Sequence, residues 1–328
     1  VFPCADTAAN DPAFFVYTSG TTGRPKGIVH AHRWLIALGD ANRYRLPTLP
    51  GDRVYATGEW SFISALGHNV MFPLRNGVTG VILEDRASPE NVLQTVQNHK
   101  VTVMYSVATV YRRMLAIDDV ECRYDLVSLR GCNATGEALE AATWREFKER
   151  IGCEIWEHYG VSEMQMVLGQ GPLRPVRPGS IGMPVPGTEV AVLDAGYNEL
   201  PDGEVGHFLI RADNPGFFLG YHKDPGKTAE VVHDGWYHTG DLAWRDEDGY
   251  FWIAGRVDDC FKSRGIFISP YEIENVLLQH PAIAEACIVP LADAEIGNRI
   301  RAVCVLKDGT PAGEAMAEDI LLNVGKRI

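Results

Sequence analysis

Residues 17–27 read Tyr17-Thr18-Ser19-Gly20-Thr21-Thr22-Gly23-Arg24-Pro25-Lys26-Gly27. Three glycines, four aliphatic hydroxyls, one proline and two cations are packed here without a spacer. Glycine lets a backbone take positive φ and approach a ligand closely. Successive amide N–H groups in such a turn form an anion nest, which hydroxyls and a lysine can complete. An apolar run, 13–16, leads into the stretch and reads as a buried strand. The segment therefore reads as a loop that cradles a polyphosphate rather than as a plain surface turn. It is not a Walker loop, because the spacing G-x-x-x-x-G-K-[ST] is not met.

Outward from this loop, 13 to about 165 alternates short apolar runs with helical stretches. Strands are predicted at 14–17, 53–56, 78–83, 101–105, 129–132 and 154–158, and helices at 32–45, 63–75, 89–99, 107–117 and 139–150. Such alternation predicts an α/β fold with a mainly parallel sheet covered by helices. Ligands on such sheets sit at the carboxyl ends of strands, and the loop is expected to follow one. From about 170 to 255, proline and glycine break the chain into short alternating runs, read as antiparallel strands of a small distorted β-barrel. From 259 onward, a strand, a helix (270–279), two strands and a helix from about Glu314 predict a small α+β unit. The expected division is a large domain, 1–257 (α/β part 13–170, β-rich part 171–257), and a small C-terminal domain, 258–328.

Net charge is −13, from 43 acidic and 30 basic residues. That excludes the basic footprint of a nucleic-acid binder, and an acidic protein that binds a polyphosphate must concentrate positive charge locally. The seven cysteines, an odd number without a C-x-x-C spacing, suggest neither a disulfide framework nor a zinc site. They are expected to be buried free thiols in a reducing cytoplasm. No eighteen-residue apolar run predicts a membrane span, and the N-terminus reads as lacking a leader. The chain starts at Val1 and is expected to be a fragment.

Four further segments carry chemistry. Residues 157–164, EHYGVSEM, follow the 154–158 strand and offer the Ser162 hydroxyl and Glu163 carboxylate at its end. Mg²⁺ is a hard cation held by such carboxylate and phosphate oxygens. Residues 136–139, GEAL, open a predicted helix. In 237–241, YHTGD, Asp241 follows a glycine, where a carboxylate can accept hydrogen bonds from a sugar diol. In 255–259, GRVDD, Arg256 lies fifteen residues after Asp241.

With the 17–27 loop, these segments resemble the signatures of the adenylate-forming (AMP-binding) superfamily, and the loop, 157–164, 237–241 and 255–259 occur in that family's order. It comprises acyl- and aryl-CoA synthetases, luciferases and the adenylation domains of peptide synthetases. The likeness is to benzoate-CoA ligase-like or medium-chain acyl-CoA synthetase-like members, for a fragment lacking the N-terminal part and the extreme C-terminus. It implies an acid–thiol ligase using ATP, Mg²⁺ and coenzyme A: a carboxylic acid is activated to acyl-AMP, pyrophosphate leaves, and the acyl group passes to CoA with release of AMP. By resemblance, Thr18, Ser19, Gly20, Thr21, Thr22, Gly23 and Lys26 hold the phosphates. Ser162 contacts the α-phosphate and Glu163 the Mg²⁺; with Lys26 these are the catalytic candidates. Gly136, Glu137, Ala138, His158, Tyr159 and Gly160 lie by the adenine. Asp241 holds the ribose hydroxyls and Arg256 completes the ribose or phosphate contacts. Asp258 is the hinge, and Arg264 and Gly265, in 262–270 (KSRGIFISP), border the CoA path, where Arg264 replaces the usual small residue. The family's lysine near the chain end stands in a P-x-x-x-x-G-K context. Lys326 lacks that proline and reads as a helix end, so the chain is expected to bind nucleotide yet adenylate poorly.

The acid is expected between Trp60, Phe62, Ile63, Val107, Ala108 and Gly160. No Asp or Glu occurs from Trp60 to Gly77, which counts against an amino acid, whose ammonium would be buried unpaired at several kcal/mol. Where acetate-specific relatives carry Trp, Gly160 leaves room for an aryl ring or medium acyl chain, and each buried CH₂ adds about 0.8 kcal/mol. Carrier-protein loading and a nucleotide-binding pseudoenzyme stay open as alternatives, as does a homodimer. Two segments are read as decoys. Gly226-Lys227-Thr228 mimics a Walker tail without a preceding strand, and His30 and His32 read as a helix start rather than a metal pair.

Overall fold

A computed structural model describes residues 3–18, 25–45, 48–264, 266–293 and 296–325. The chain divides into two compact units: 1–190 with 209–239 and 249–251, and 191–208 with 240–248 and 252–328.

The first unit is built on a seven-stranded sheet in the order Thr79–Val81, Arg53–Ala56, Val103–Ser106, Gly131–Ala134, Ile155–Tyr159, Leu168–Gly169, Met183–Pro184. The first five strands are parallel and the last two are antiparallel additions. The helices are those the pattern predicts, within a few residues: Arg33–Arg45, Pro89–His99, Ala108–Leu115 and Ala141–Ile151. Ser88 caps Pro89–His99, accepting the Asn91 N–H at 3.2 Å, and Pro89 occupies the first turn, where its missing N–H costs nothing. Val92, Leu93 and Val96 on that helix pack with Met104, Tyr111, Phe147 and Ile155 into one core.

At the amino ends of the strands, Asp52 accepts from Arg130 Nε (3.0 Å) and Nη2 (2.5 Å) and from Thr102 Oγ1 (2.8 Å). This anchor holds the strand starts together at the end opposite the candidate site. The 63–75 stretch is not one helix. It is a short helix Ile63–Leu66, a π-helix Gly67–Met71 and a short helix Phe72–Asn76. The Gln165 side chain lies 2.6 Å from where a Gly67 Cβ would stand. The Asn69 amide hydrogen-bonds the Ala56 backbone both ways, at 2.9 Å each.

The 17–27 loop does not follow a strand of this sheet. Pro12–Thr18 and Lys26–Ala31 pair antiparallel in a separate three-stranded sheet with Gly220–Tyr221. Nor is the leading strand buried: Val16 is, but Phe15 is 47% exposed. Strand–helix alternation reports a parallel sheet on average and cannot flag one hairpin inserted before it.

Residues 190–256 supply the strands of a five-stranded sheet. In the second unit, the Phe261–Ser263/Ile266–Ile268 and Ile283–Asp293/Gly297–Leu306 hairpins accompany the helices Pro270–Leu277 and Glu314–Val324. Leu277, Ile283, Ile288 and Ile320 form its core. The cysteines are free as expected, but only Cys132 and Cys153 are buried; Cys4, Cys122 and Cys287 are exposed. No helix among the described residues is long and apolar enough to cross a membrane.

Candidate active site

In the first unit, four parallel strands deliver the candidate residues from their carboxyl ends. Trp60 and Phe62 follow Arg53–Ala56, and Val107 follows Val103–Ser106. Gly136 to Ala138 follow Gly131–Ala134, and Gly160 to Glu163 follow Ile155–Tyr159. Neighbouring strands are tied there by Thr57 Oγ1 and Ser106 Oγ, 2.6 Å apart.

The hairpin reaches Glu163 through the 217–222 segment. The Leu219 N–H donates to Val29 O (2.8 Å) and the His222 N–H to Gly27 O (2.7 Å), while the Phe218 N–H donates to Glu163 O (2.9 Å). His30, fully buried, adds a second tie: its Nε2 lies 2.9 Å from Ser162 O, so Nε2 carries the proton and donates. Burial lowers the His30 pKa to about 4, so the ring is neutral at pH 7. His30 therefore belongs to a strand and not to a helix start; the strand pairing that claims it is non-local and invisible to a helix-start motif. Gly27 is closely packed: a Cβ there would lie 3.2 Å from both the Tyr17 ring and His222 Cβ.

Glu163 itself is buried. The Tyr221 hydroxyl donates to its Oε1 at 2.5 Å. A hydrogen bond to a charged group contributes about 1.5–3 kcal/mol. Burial, then the adjacent Glu163 charge, raises the Tyr221 and Tyr237 phenols above the ordinary tyrosine range, so they remain donors. Lys26 Nζ lies 5.6 Å from the Tyr221 ring centroid, within cation–π range. Neither tyrosine was singled out by the sequence, although Tyr237 opens the 237–241 motif.

Several placements differ from the sequence reading. Residues 136–139 do not open a helix, which begins at Ala141. Glu137 instead accepts the Thr109 N–H, satisfying a donor in the first turn of Ala108–Leu115. Gly136 takes φ 86°, left-handed backbone that suits glycine. His158 is buried, 5.6 Å ring to ring from His68, which stacks on Tyr105 at 3.7 Å. A Cβ at Gly160 would overlap the Gln165 carbonyl oxygen, so this turn as folded leaves no room for a side chain there. Tyr159 and Ser162 are half-buried. Ile63 and Ala108 are buried, whereas Trp60, Phe62 and Val107 are exposed to 46%, 66% and 38%. Beside them Glu157, buried, accepts the Leu139 N–H at 3.4 Å, and its Oε2 has no hydrogen-bond partner among the described residues. Burial pushes this carboxyl well above the usual carboxylate range.

In the second unit, Arg256 Nη1 lies 2.9 Å from Asp241 Oδ1, and the Val257 N–H donates to Gly240 O at 2.9 Å. Gly240 has φ 79°, and a Cβ there would come 2.9 Å from Arg256 Nη2. Asp258 is exposed in the turn after this strand, and Arg264 takes φ 50°. Ser19, Gly20, Thr21, Thr22, Gly23, Gly265 and Lys326 lie outside the described residues. The 226–228 decoy is a capped helix start: Asp224 accepts the Lys227 N–H at 2.9 Å, and Lys227 pairs with Glu230.

The arrangement joins the paired strands that carry Thr18 and Lys26 to a buried carboxylate. Among the described residues no three acidic, histidine or cysteine side chains cluster as a metal cage. One carboxylate completed by phosphate oxygens and waters is how Mg²⁺ is commonly held, so Glu163 fits that ion.

The AMP-binding enzyme family profile matches residues 2–222, and that of the AMP-binding enzyme C-terminal domain matches 272–328. The chain is 35% identical to benzoate–CoA ligase of Thauera aromatica over 326 residues, 98% of this chain and 61% of that protein. It is 35% identical to acetyl-coenzyme A synthetase of Bacillus subtilis over 314 residues, 94% of this chain and 54% of that protein. The crystal structure of the anthranilate CoA ligase AuaEII with anthranoyl-AMP superposes with a TM-score of 0.93 at 33% identity, covering 100% of this chain and 63% of the other. The chain thus spans between half and two thirds of the length of these relatives. Two matched profiles, the first over most of the chain, and the shared fold establish that this chain belongs to the AMP-binding enzyme family.

Proposed function

We propose that the whole protein activates a carboxylic acid with ATP, forming acyl-AMP and pyrophosphate, and then transfers the acyl group to coenzyme A. The observation that carries this reading is the tie between the phosphate hairpin and Glu163 through 217–222 and His30. Bound Mg²⁺ would draw charge from the phosphate oxygens.

The chain's own residues do the rest. Lys26 would hold a phosphate by charge, and Ser162 would orient the α-phosphate beside Glu163. Gly136 to Ala138 and Tyr159 would border the adenine. The Asp241–Arg256 pair would take the ribose hydroxyls. Asp258 would be the hinge for a small domain over 258–328, with Arg264 and Gly265 beside the CoA path. Charge grows on phosphoryl oxygens in the first step, so fixed cations and donors aimed there supply most of the acceleration.

The acid is proposed to be aromatic or medium-chain. Trp60, Phe62 and Val107 present apolar surface at the strand ends, and no carboxylate between Trp60 and Gly77 could receive an ammonium. Relatives named benzoate–CoA ligase and 3-hydroxybenzoate–CoA ligase support the aromatic choice.

Pyrophosphate exchange by the full-length protein with a panel of acids tests the proposal. Exchange with benzoate-type or medium-chain acids, with thioester formed on adding CoA, is expected. No exchange with any acid overturns it, and exchange without thioester would point to carrier-protein loading.

A further inference from the structure

Lys26 and Glu163 both contact one side chain, that of Tyr221. Its hydroxyl donates to Glu163 Oε1 at 2.5 Å, and its ring lies 5.6 Å below Lys26 Nζ. Among the described residues, Lys26 and Glu163 form no ion pair with each other or with any other group. A direct pair would neutralise both and leave neither a cation for phosphate nor a carboxylate for a metal.

Tyr221 is held from several sides. Gly220 and Tyr221 pair with Val29 and Ile28 of the hairpin. The Tyr221 N–H donates to Thr228 Oγ1 at 2.9 Å, and Thr228 Oγ1 donates to Asp224 O at 3.0 Å. Thr228 is thus the residue of the 226–228 segment that bears on the site. The Phe218 ring packs 5.1 Å from the Tyr221 ring. A side chain so fixed cannot swing aside to let the two charges meet.

We propose that Tyr221 is a positioning residue that keeps Lys26 and Glu163 adjacent but unpaired, its hydroxyl fixing the carboxylate and its ring face carrying the ammonium. The inference rests on the functional reading above only for what the two charges are kept free to bind. The separation itself is a property of the ligand-free chain.

The test is therefore first made without ligand. Lys26 is followed in the 328-residue chain by NMR of reductively methylated lysines across pH, its signal assigned with Lys26→Arg. Tyr221→Leu, which lets the charges pair, should raise the Lys26 titration midpoint by about one pH unit, and adding Glu163→Gln should abolish the rise. Tyr221→Phe keeps the ring and should leave Lys26 unmoved. A midpoint unchanged in Tyr221→Leu, or a rise that survives Glu163→Gln, overturns the proposal. A variant that unfolds would show all lysines at the free value, which the Tyr221→Phe/Glu163→Gln pair distinguishes. In that pair the ring stays and Lys26 should titrate as in the parent; a shift there also counts against the separation.

Nucleotide binding then reads the hydroxyl. Tyr221→Phe should raise the Mg²⁺ concentration for half-maximal ATP binding about tenfold while leaving metal-free ATP affinity unchanged, a split that general destabilisation would not give. An unchanged Mg²⁺ requirement overturns the hydroxyl's part. Failure of the parent chain to bind ATP, with the Lys26 result intact, would overturn the functional reading alone.

Discussion

Two carboxylates of this chain, Glu163 in the first unit and Asp241 in the second, are equally buried at 8% exposure and are held in opposite ways. Asp241 carries a cation at 2.9 Å, the Arg256 guanidinium. Glu163 carries none among the described residues and is held by the neutral phenol of Tyr221. Burying a carboxylate without a cation is unfavourable unless hydrogen bonds compensate. A fold that leaves Glu163 so, while pairing Asp241, treats the first as a charge to be spent on a ligand. The second is a hydrogen-bonding group whose charge is already settled.

That contrast can be broken at its strongest point with Glu163→Gln. Loss of the unpaired charge should lower acid-dependent pyrophosphate exchange by the full-length protein about 100-fold or more, while metal-free ATP binding to this chain stays near the parent value. Equal loss of both would mean that Glu163 supports the fold rather than a metal. Lys26→Ala removes the facing cation and should weaken ATP binding by roughly ten- to a hundredfold. Calorimetry that finds the affinity unchanged would detach the hairpin from the phosphates.

Asp241→Ala sharpens the other side. It removes an acceptor and leaves Arg256 exposed enough to be hydrated, so ATP affinity should fall about tenfold with little change in the Mg²⁺ requirement. A changed Mg²⁺ requirement would erase the distinction between the two acids.

His30→Gln gives the smallest effect and probes the tie between the hairpin and Ser162. The folded-state pKa of His30 is depressed, from 6.5 to about 4. Its contribution is therefore complete above pH 6.5 and is lost as pH falls toward 4, because the unfolded chain takes the proton first. Between pH 7.5 and 5.5 the parent should lose about 1.4 kcal/mol that the variant does not, a factor of about ten in the folding equilibrium. If urea denaturation gives the two proteins the same change in unfolding free energy between pH 7.5 and 5.5, His30 is not buried neutral.

Much of this was readable beforehand because it is local. Ser88-Pro89 fixed a helix start, and the Arg53–Ala56 strand lies where its apolar run predicts. The motif residues that follow strands 53–56, 103–106, 131–134 and 155–159 fall at one sheet edge because parallel strands share a direction. Glu163 and the Asp241–Arg256 pair could be named from their neighbours in sequence. The role of Gly160 could not, since its need for glycine comes from the Gln165 carbonyl folding back onto it.

What the amino-acid order alone determined was therefore the alternation of strands and helices, the signature segments and the family they announce. Only tertiary structure decided that the strands flanking the 17–27 loop pair outside the parallel sheet, that His30 joins them to Ser162, and that Tyr221 contacts both Lys26 and Glu163. The physical reason is separation along the chain. Tyr221 follows Glu163 by 58 residues and His30 precedes Ser162 by 132, and no local periodicity or propensity encodes a contact between groups that only the completed fold brings within hydrogen-bond reach.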